Sequence, residues 1–89
     1  MSTLEARIKG IIGDHLLAKE EDLTPLAMLE EDLGMDSLDR VDLAMAFEEQ
    51  LLDDEPIDNE IAEGWRTVQD VIDSVTKLAG EIKRPARRG

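Results

Sequence analysis

Few side chains in these 89 residues can do chemistry. The chain has one histidine and no cysteine, which excludes a thiolate nucleophile, a thiolate metal site and a disulfide framework together. His15 falls on the apolar side of a helical pattern, where a packed or half-exposed structural role is expected, and no partner is offered that would make it a base. Asp53, Asp54, Glu55, Asp58 and Glu60 would attract Ca²⁺ or Mg²⁺ loosely, but the spacing and central glycine of an EF-hand loop are absent, so no metal site is expected. The run Asp32-Leu33-Gly34-Met35-Asp36-Ser37-Leu38-Asp39 is different in kind. A serine at the start of a helix, just after a glycine-containing loop, presents its hydroxyl in the positive field of the helix terminus. A phosphate diester formed there is stabilised by free backbone N–H groups. On helix chemistry alone, the favoured reading of Ser37 is simply a good early-helix residue beside an Asp cap. No nucleophile and base can be paired from these residues, so the chain is not expected to be an enzyme.

The elements that position Ser37 can be read from spacing. Ser2 with Glu5 forms a capping-box signature, and Leu4, Ile8, Ile11, Ile12 and His15 recur at helical spacing, giving a first helix over about residues 3 to 18. From residue 19 to 36 no period is sustained, and Thr24-Pro25 and Leu33-Gly34 mark a long loop, pinned to the core by Leu23, Leu26, Met28, Leu29, Leu33 and Met35. So long a loop in so small a domain usually signals function. Asp36 caps a second helix that extends to about Leu52, with Asp39 adding negative charge at the positive end of the dipole. At about 100° per residue, Leu43, Phe47 and Leu51 form one stripe of this helix, and Leu38, Val41, Met45 and Leu52 form another on nearly the opposite side. The first is assigned to the core. The second, bordered by Asp39, Asp42, Glu48 and Glu49, is assigned to a partner; the alternative is a central helix with both stripes buried. Residues 53 to 64 are acidic and irregular, with room for one short helix over about 58 to 63. Thr67 with Asp70 opens a last amphipathic helix carrying Val68, Val71, Ile72, Val75, Leu78 and Ala79, which Gly80 can close. Residues 1–80 thus form one all-α domain, and residues 81–89, with Lys83, Arg84, Arg87 and Arg88, form a basic tail expected to be mobile.

Charge narrows the partners. The net charge is -12, and residues 20 to 63 hold 17 acids and a single base, Arg40. Nucleic acid is excluded as a partner, because phosphate backbones are bound by lysine and arginine; proteins with basic patches are favoured. No apolar run approaches the roughly 20 residues of a membrane span, and the N-terminus lacks signal-peptide character, so a cytoplasmic monomer is expected.

The segment from Leu33 to Leu38 resembles the attachment motif of the acyl carrier protein family, in which the serine of an Asp-Ser-Leu triplet receives 4′-phosphopantetheine. The similarity continues through Asp39, Val41, Asp42, Leu43, Met45, Phe47, Glu48 and Glu49 and resumes over residues 67–73. The resemblance implies a four-helix bundle with three main helices, one short helix and a long loop between the first two. It implies a phosphopantetheinyl transferase that loads Ser37 from coenzyme A, with Asp36 orienting that enzyme or its metal, and an acyl cargo held as a thioester on the arm. Leu38, Asp39, Val41, Asp42, Met45, Glu48 and Glu49 would then be the surface met by acyl-transferring and acyl-synthesising enzymes with basic docking patches. In such carriers the attached chain can also fold back between the helices. Fatty acid or specialised lipid synthesis is the expected setting; a carrier of polyketide or aminoacyl intermediates and an unmodified acidic interaction module are the alternatives. Three features depart from the fatty-acid carriers: Arg40, expected to alter partner choice; the altered segment from residue 52 to 65, in which Trp65 is expected to pack at the core edge or to anchor a partner; and the basic tail.

Overall fold

Isoleucines at 8, 11 and 12 face inward together on a helical repeat, and they begin a core that the later elements close. The computed structural model describes residues 3–83 and the side chains of residues 4–80. Its helices are α1 (Thr3–Leu16), α2 (Ser37–Leu51), α3 (Asn59–Glu63) and α4 (Val68–Lys83), with a short 3₁₀ turn at Glu20–Asp22. Among the described residues there is no β-strand, only an isolated antiparallel bridge between Met28 and Thr67. This is the all-α bundle of three main helices and one short one expected from the sequence. Helix α1 packs against both α2 and α4, and α3 packs on α2. Ile8, Ile11 and Ile12 of α1, Leu43 and Phe47 of α2, and Val68, Val71, Ile72, Val75 and Ala79 of α4 meet in the core. Each of these side chains larger than alanine stabilises the fold by roughly 1.5–3 kcal/mol when fully buried.

The long loop is fastened to this core at several points. Leu23, Leu29 and Met35 are buried, and the segment around Met28 pairs with the entry to α4, with Leu29 N–H donating to Arg66 O at 2.8 Å and Val68 N–H to Ala27 O at 3.1 Å. Leu26 does not join them: it is 82% exposed. It sits at the tip of a turn that begins at Thr24 and is closed by Ala27 N–H to Thr24 O at 3.1 Å, with Pro25 in the second position, so Ala27 is buried in its place.

Three boundaries differ from the sequence expectation for backbone reasons. Helix α1 stops at Leu16, because Leu17 adopts a left-handed conformation (φ 55°) and Ala18 N–H reaches back to Gly13 O at 3.0 Å. Leu52, placed on the exposed stripe of the second helix, is buried. Helix α2 ends at Leu51, Leu52 leaves helical geometry at φ -118° and ψ 16°, and Asp53 and Asp54 then turn left-handed, so the helical phase no longer governs where Leu52 points. Leu51 is only half-buried. Gly80 does not close α4, which runs through it to Lys83; a β-carbon at Gly80 would meet nothing within 4 Å, so that face of the helix is open. The first residues of the expected tail are therefore helical, and residues 84–89 lie outside the described residues.

Trp65 is more deeply placed than a core-edge residue: it is 2% exposed. Its ring stands edge-on to Phe47 with centroids 5.7 Å apart, and its Nε1–H donates to Ser74 Oγ at 2.7 Å, which satisfies the one polar atom the indole carries. His15 is exposed, with Nδ1 3.2 Å from Ile11 O, and it forms no ion pair among the described residues.

Candidate functional site

Gly34 takes φ 74°, a left-handed conformation that favours glycine, and the turn there lets Met35 drop into the core two residues before Ser37 reaches the surface. Asp36 is the N-cap of α2. Its Oδ1 accepts from Asp39 N–H at 2.8 Å, and Asp39 Oδ2 accepts from Asp36 N–H at 3.2 Å, a reciprocal capping box. Ser37 is consequently fixed as the first residue of the helix, exposed, with no hydrogen bond to its hydroxyl among the described residues. The backbone N–H groups of Ser37 and Leu38 likewise have no protein acceptor there, as expected of a first helical turn. An Asp36→Ala variant should lose about 1 kcal/mol of stability, read as a lower urea midpoint with an unchanged slope, because the Asp39 N–H loses its acceptor.

The outer face of α2 carries Leu38, Val41 and Met45, exposed at 75%, 56% and 48%, with Asp42 and Glu49 also at the surface. Two acids assigned to the same surface have local duties as well. Asp39 closes the capping box, and Glu48, half-buried, accepts Ile57 N–H on Oε2 at 2.8 Å, holding the segment before α3 against α2. Beside Ser37 lies a cleft of 380 Å³ between α2 and α3, lined by Ser37, Arg40, Val41, Ala44, Met45, Glu48, Ile57, Asn59, Ala62 and Glu63. A cleft of 440 Å³ along α1 shares no lining residue with it.

Arg40 is the residue whose place the sequence conceals. Its guanidinium turns away from the outer face and donates through Nη1 to Ala62 O and, at 3.1 Å, to Trp65 O, while Nη2 pairs with Glu30 Oε2 at 2.8 Å. Its side chain is 16% exposed. It therefore joins α2, the C-terminal end of α3 and the long loop. Its expected role in partner choice has no direct support in this geometry, because its fork is already occupied within the domain.

A family model described as a phosphopantetheine attachment site matches residues 6–75. The chain belongs to that family. Members of the phosphopantetheine-attachment family hold 4′-phosphopantetheine covalently and serve as carriers. The local structure suits such a group. The Ser37 hydroxyl is free, two first-turn N–H groups are available to a phosphate, and an apolar-floored cleft begins at the same residue. Among the described residues no helix is long and apolar enough to cross a membrane, and no cluster of three metal-ligating side chains is found.

Electrostatics of this carrier domain carry a further consequence. Within the acidic block, Arg40–Glu30 is the ion pair found among the described residues, so most of the 17 acids face water without a cation beside them. Their mutual repulsion should be relieved by screening. The melting temperature is expected to rise by about 5–10 °C between low salt and about 0.5 M NaCl. A flat profile in calorimetry would show that the repulsion is not felt by the fold.

Proposed function

We propose that Ser37 bears the phosphopantetheine arm and that the protein passes acyl intermediates, in fatty acid or specialised lipid synthesis in the cytoplasm, among enzymes that dock on the outer face of α2. The observation that carries this reading is the exposed, unbonded hydroxyl of Ser37 at the first position of α2. When attached, the arm supplies the terminal thiol on which the cargo is held. The chain's own residues supply the rest. Ser37 Oγ attacks the pantetheine-side phosphorus of coenzyme A and becomes the ester oxygen, its proton passes to the loading enzyme, and the pyrophosphate bond breaks to release adenosine 3′,5′-bisphosphate. The N–H groups of Ser37 and Leu38 face the phosphate. Asp36 uses Oδ1 on its cap and keeps Oδ2 available to orient the loading enzyme or its metal.

Docking is transient in this scheme. Leu38, Val41 and Met45 form a small apolar strip that buries against a partner, while Asp39, Asp42, Glu48 and Glu49 attract basic patches over longer range, giving fast and salt-sensitive encounter. Chemistry belongs to the partners, and the carrier acts as a monomer, with residues 1–80 as the carrier unit and the basic segment after it as an accessory. The reading is tested by intact-mass measurement after incubation with coenzyme A and a broad-specificity phosphopantetheinyl transferase. A gain of one phosphopantetheine is expected; no gain in folded, initially unloaded protein would favour an unmodified interaction module.

A further inference from the structure

Leu17 and Leu26 are the most exposed large apolar side chains among the described residues, at 90% and 82%. Single leucines at a surface are ordinary, but Leu26 has an unusual setting. The carbonyls on either side of it are both taken by the start of α4: Pro25 O accepts Gln69 N–H at 3.1 Å, and Ala27 O accepts Val68 N–H at 3.1 Å. Leu23 and Ala27 are buried on its two flanks, so the backbone at Leu26 is fixed while its side chain stands in water. That side chain lines a cleft of 350 Å³ with Leu33 and three exposed acids, Glu21, Asp22 and Asp32, none of which forms an ion pair among the described residues. Leu33 lies four residues before Ser37, so the two Cα atoms are within about 14 Å of each other.

We infer that Leu26 is an anchor for the phosphopantetheinyl transferase that loads Ser37, entering an apolar pocket of that enzyme whose rim is basic. The inference rests on the carrier reading. Enzymes that act on the cargo meet it at the end of the arm and can stand off from Ser37 by the arm's length. The loading enzyme cannot, because it must bring the phosphorus of coenzyme A to bonding distance of Ser37 Oγ. A specific interface covers about 800 Å² per partner, a patch about 30 Å across. Centred on Ser37, such a footprint takes in Leu33 and the cleft it borders as well as the first turns of α2. A leucine whose backbone is already fixed loses little freedom on docking, which suits it to an anchor, and the acids around it select a basic rim. A second copy of this chain is disfavoured as the occupant, since each copy carries a net charge of -12.

The test uses the full, unloaded chain with coenzyme A and a broad-specificity phosphopantetheinyl transferase, and follows initial loading rates by intact mass over a range of carrier concentrations. Leu26→Ala should raise the KM for the carrier about tenfold and leave kcat within about twofold, the pattern of lost docking rather than lost chemistry. Leu26→Lys, which also sets a cation against the basic rim, should raise KM about thirtyfold, and it decides the matter if the alanine variant does not fold. Leu17→Ala removes a leucine at least as exposed that does not line the cleft, and it should match wild type. All three positions of the comparison are at the surface, so melting temperatures should stay within about 4 °C of wild type. An unchanged KM in folded Leu26→Ala and Leu26→Lys, or an equal loss in Leu17→Ala, would overturn the anchor alone. So would sedimentation of the wild type as a dimer that Leu26→Ala converts to monomer, which would give the surface to a second copy. A wild-type protein that never accepts the arm would overturn the carrier reading and the anchor with it.

Discussion

Ser37→Ala is expected to abolish uptake of the phosphopantetheine arm completely while leaving the melting temperature within about 4 °C of wild type. The two halves of this expectation have separate physical grounds. Loading needs an oxygen nucleophile at the position where the acidic face of α2 delivers it, and alanine has none. Two other hydroxyls are already engaged in the fold: Thr67 Oγ1 accepts Asp70 N–H at 3.2 Å to cap α4, and Ser74 Oγ is engaged by Trp65 and donates to Val71 O. Stability should barely change, since the Ser37 side chain is exposed, makes no hydrogen bond among the described residues, and occupies a first-turn position that alanine accepts. Intact mass and circular dichroism on the same sample separate the outcomes. A Ser37→Ala protein that still gains one phosphopantetheine would move the attachment site elsewhere, and one that unfolds would show that the hydroxyl has a structural duty.

Trp65→Ala should be the most damaging single change to the fold, lowering stability by about 3–5 kcal/mol. For a domain of this size the total is of order 5–15 kcal/mol, so the melting temperature should fall by about 15 °C or more. The loss has three sources. A large cavity opens against Phe47, the edge-on ring contact at 5.7 Å disappears, and Ser74 Oγ loses its donor. Trp65→Phe should recover most of the packing and none of the Nε1–H bond, landing within about 1–2 kcal/mol of wild type. Urea unfolding of the three proteins checks both values. If Trp65 were instead a partner anchor, alanine would leave the urea midpoint in place, an outcome its burial argues against.

The elements that local rules govern were legible in the sequence. Asp36 announces a helix cap, to which the structure adds the reciprocal bond from Asp39, Thr67 with Asp70 announces a capping box that the structure closes, and the exposed strip of Leu38, Val41 and Met45 follows from helical spacing within α2. What stayed hidden depends on contacts distant in sequence or on where a helix stops. Leu52 falls on the outer stripe only when the helical phase is extended past a terminus that left-handed Asp53 and Asp54 impose. Glu48 reads as one acid among many, and only the returning chain shows it holding Ile57 N–H. Arg40 is the sharpest case: a lone base in an acidic block suggests an outward role, yet its partners lie 22 and 25 residues further on, and no periodicity reports a guanidinium bonded to carbonyls. Its isolation among acids was the available signal, since a cation retained there has a reason to be held.

Trp65 has another consequence. It is the sole indole in the chain and touches three elements at once, with its ring on Phe47 of α2, its backbone N–H on Ala62 O of α3, and its Nε1–H on Ser74 of α4. With no tyrosine present to contribute emission, fluorescence excited at the long-wavelength edge comes from this one site. The molecule carries its own optical gauge at the joint between its helices, and a shift in emission colour would register water or cargo reaching that joint without any label being added.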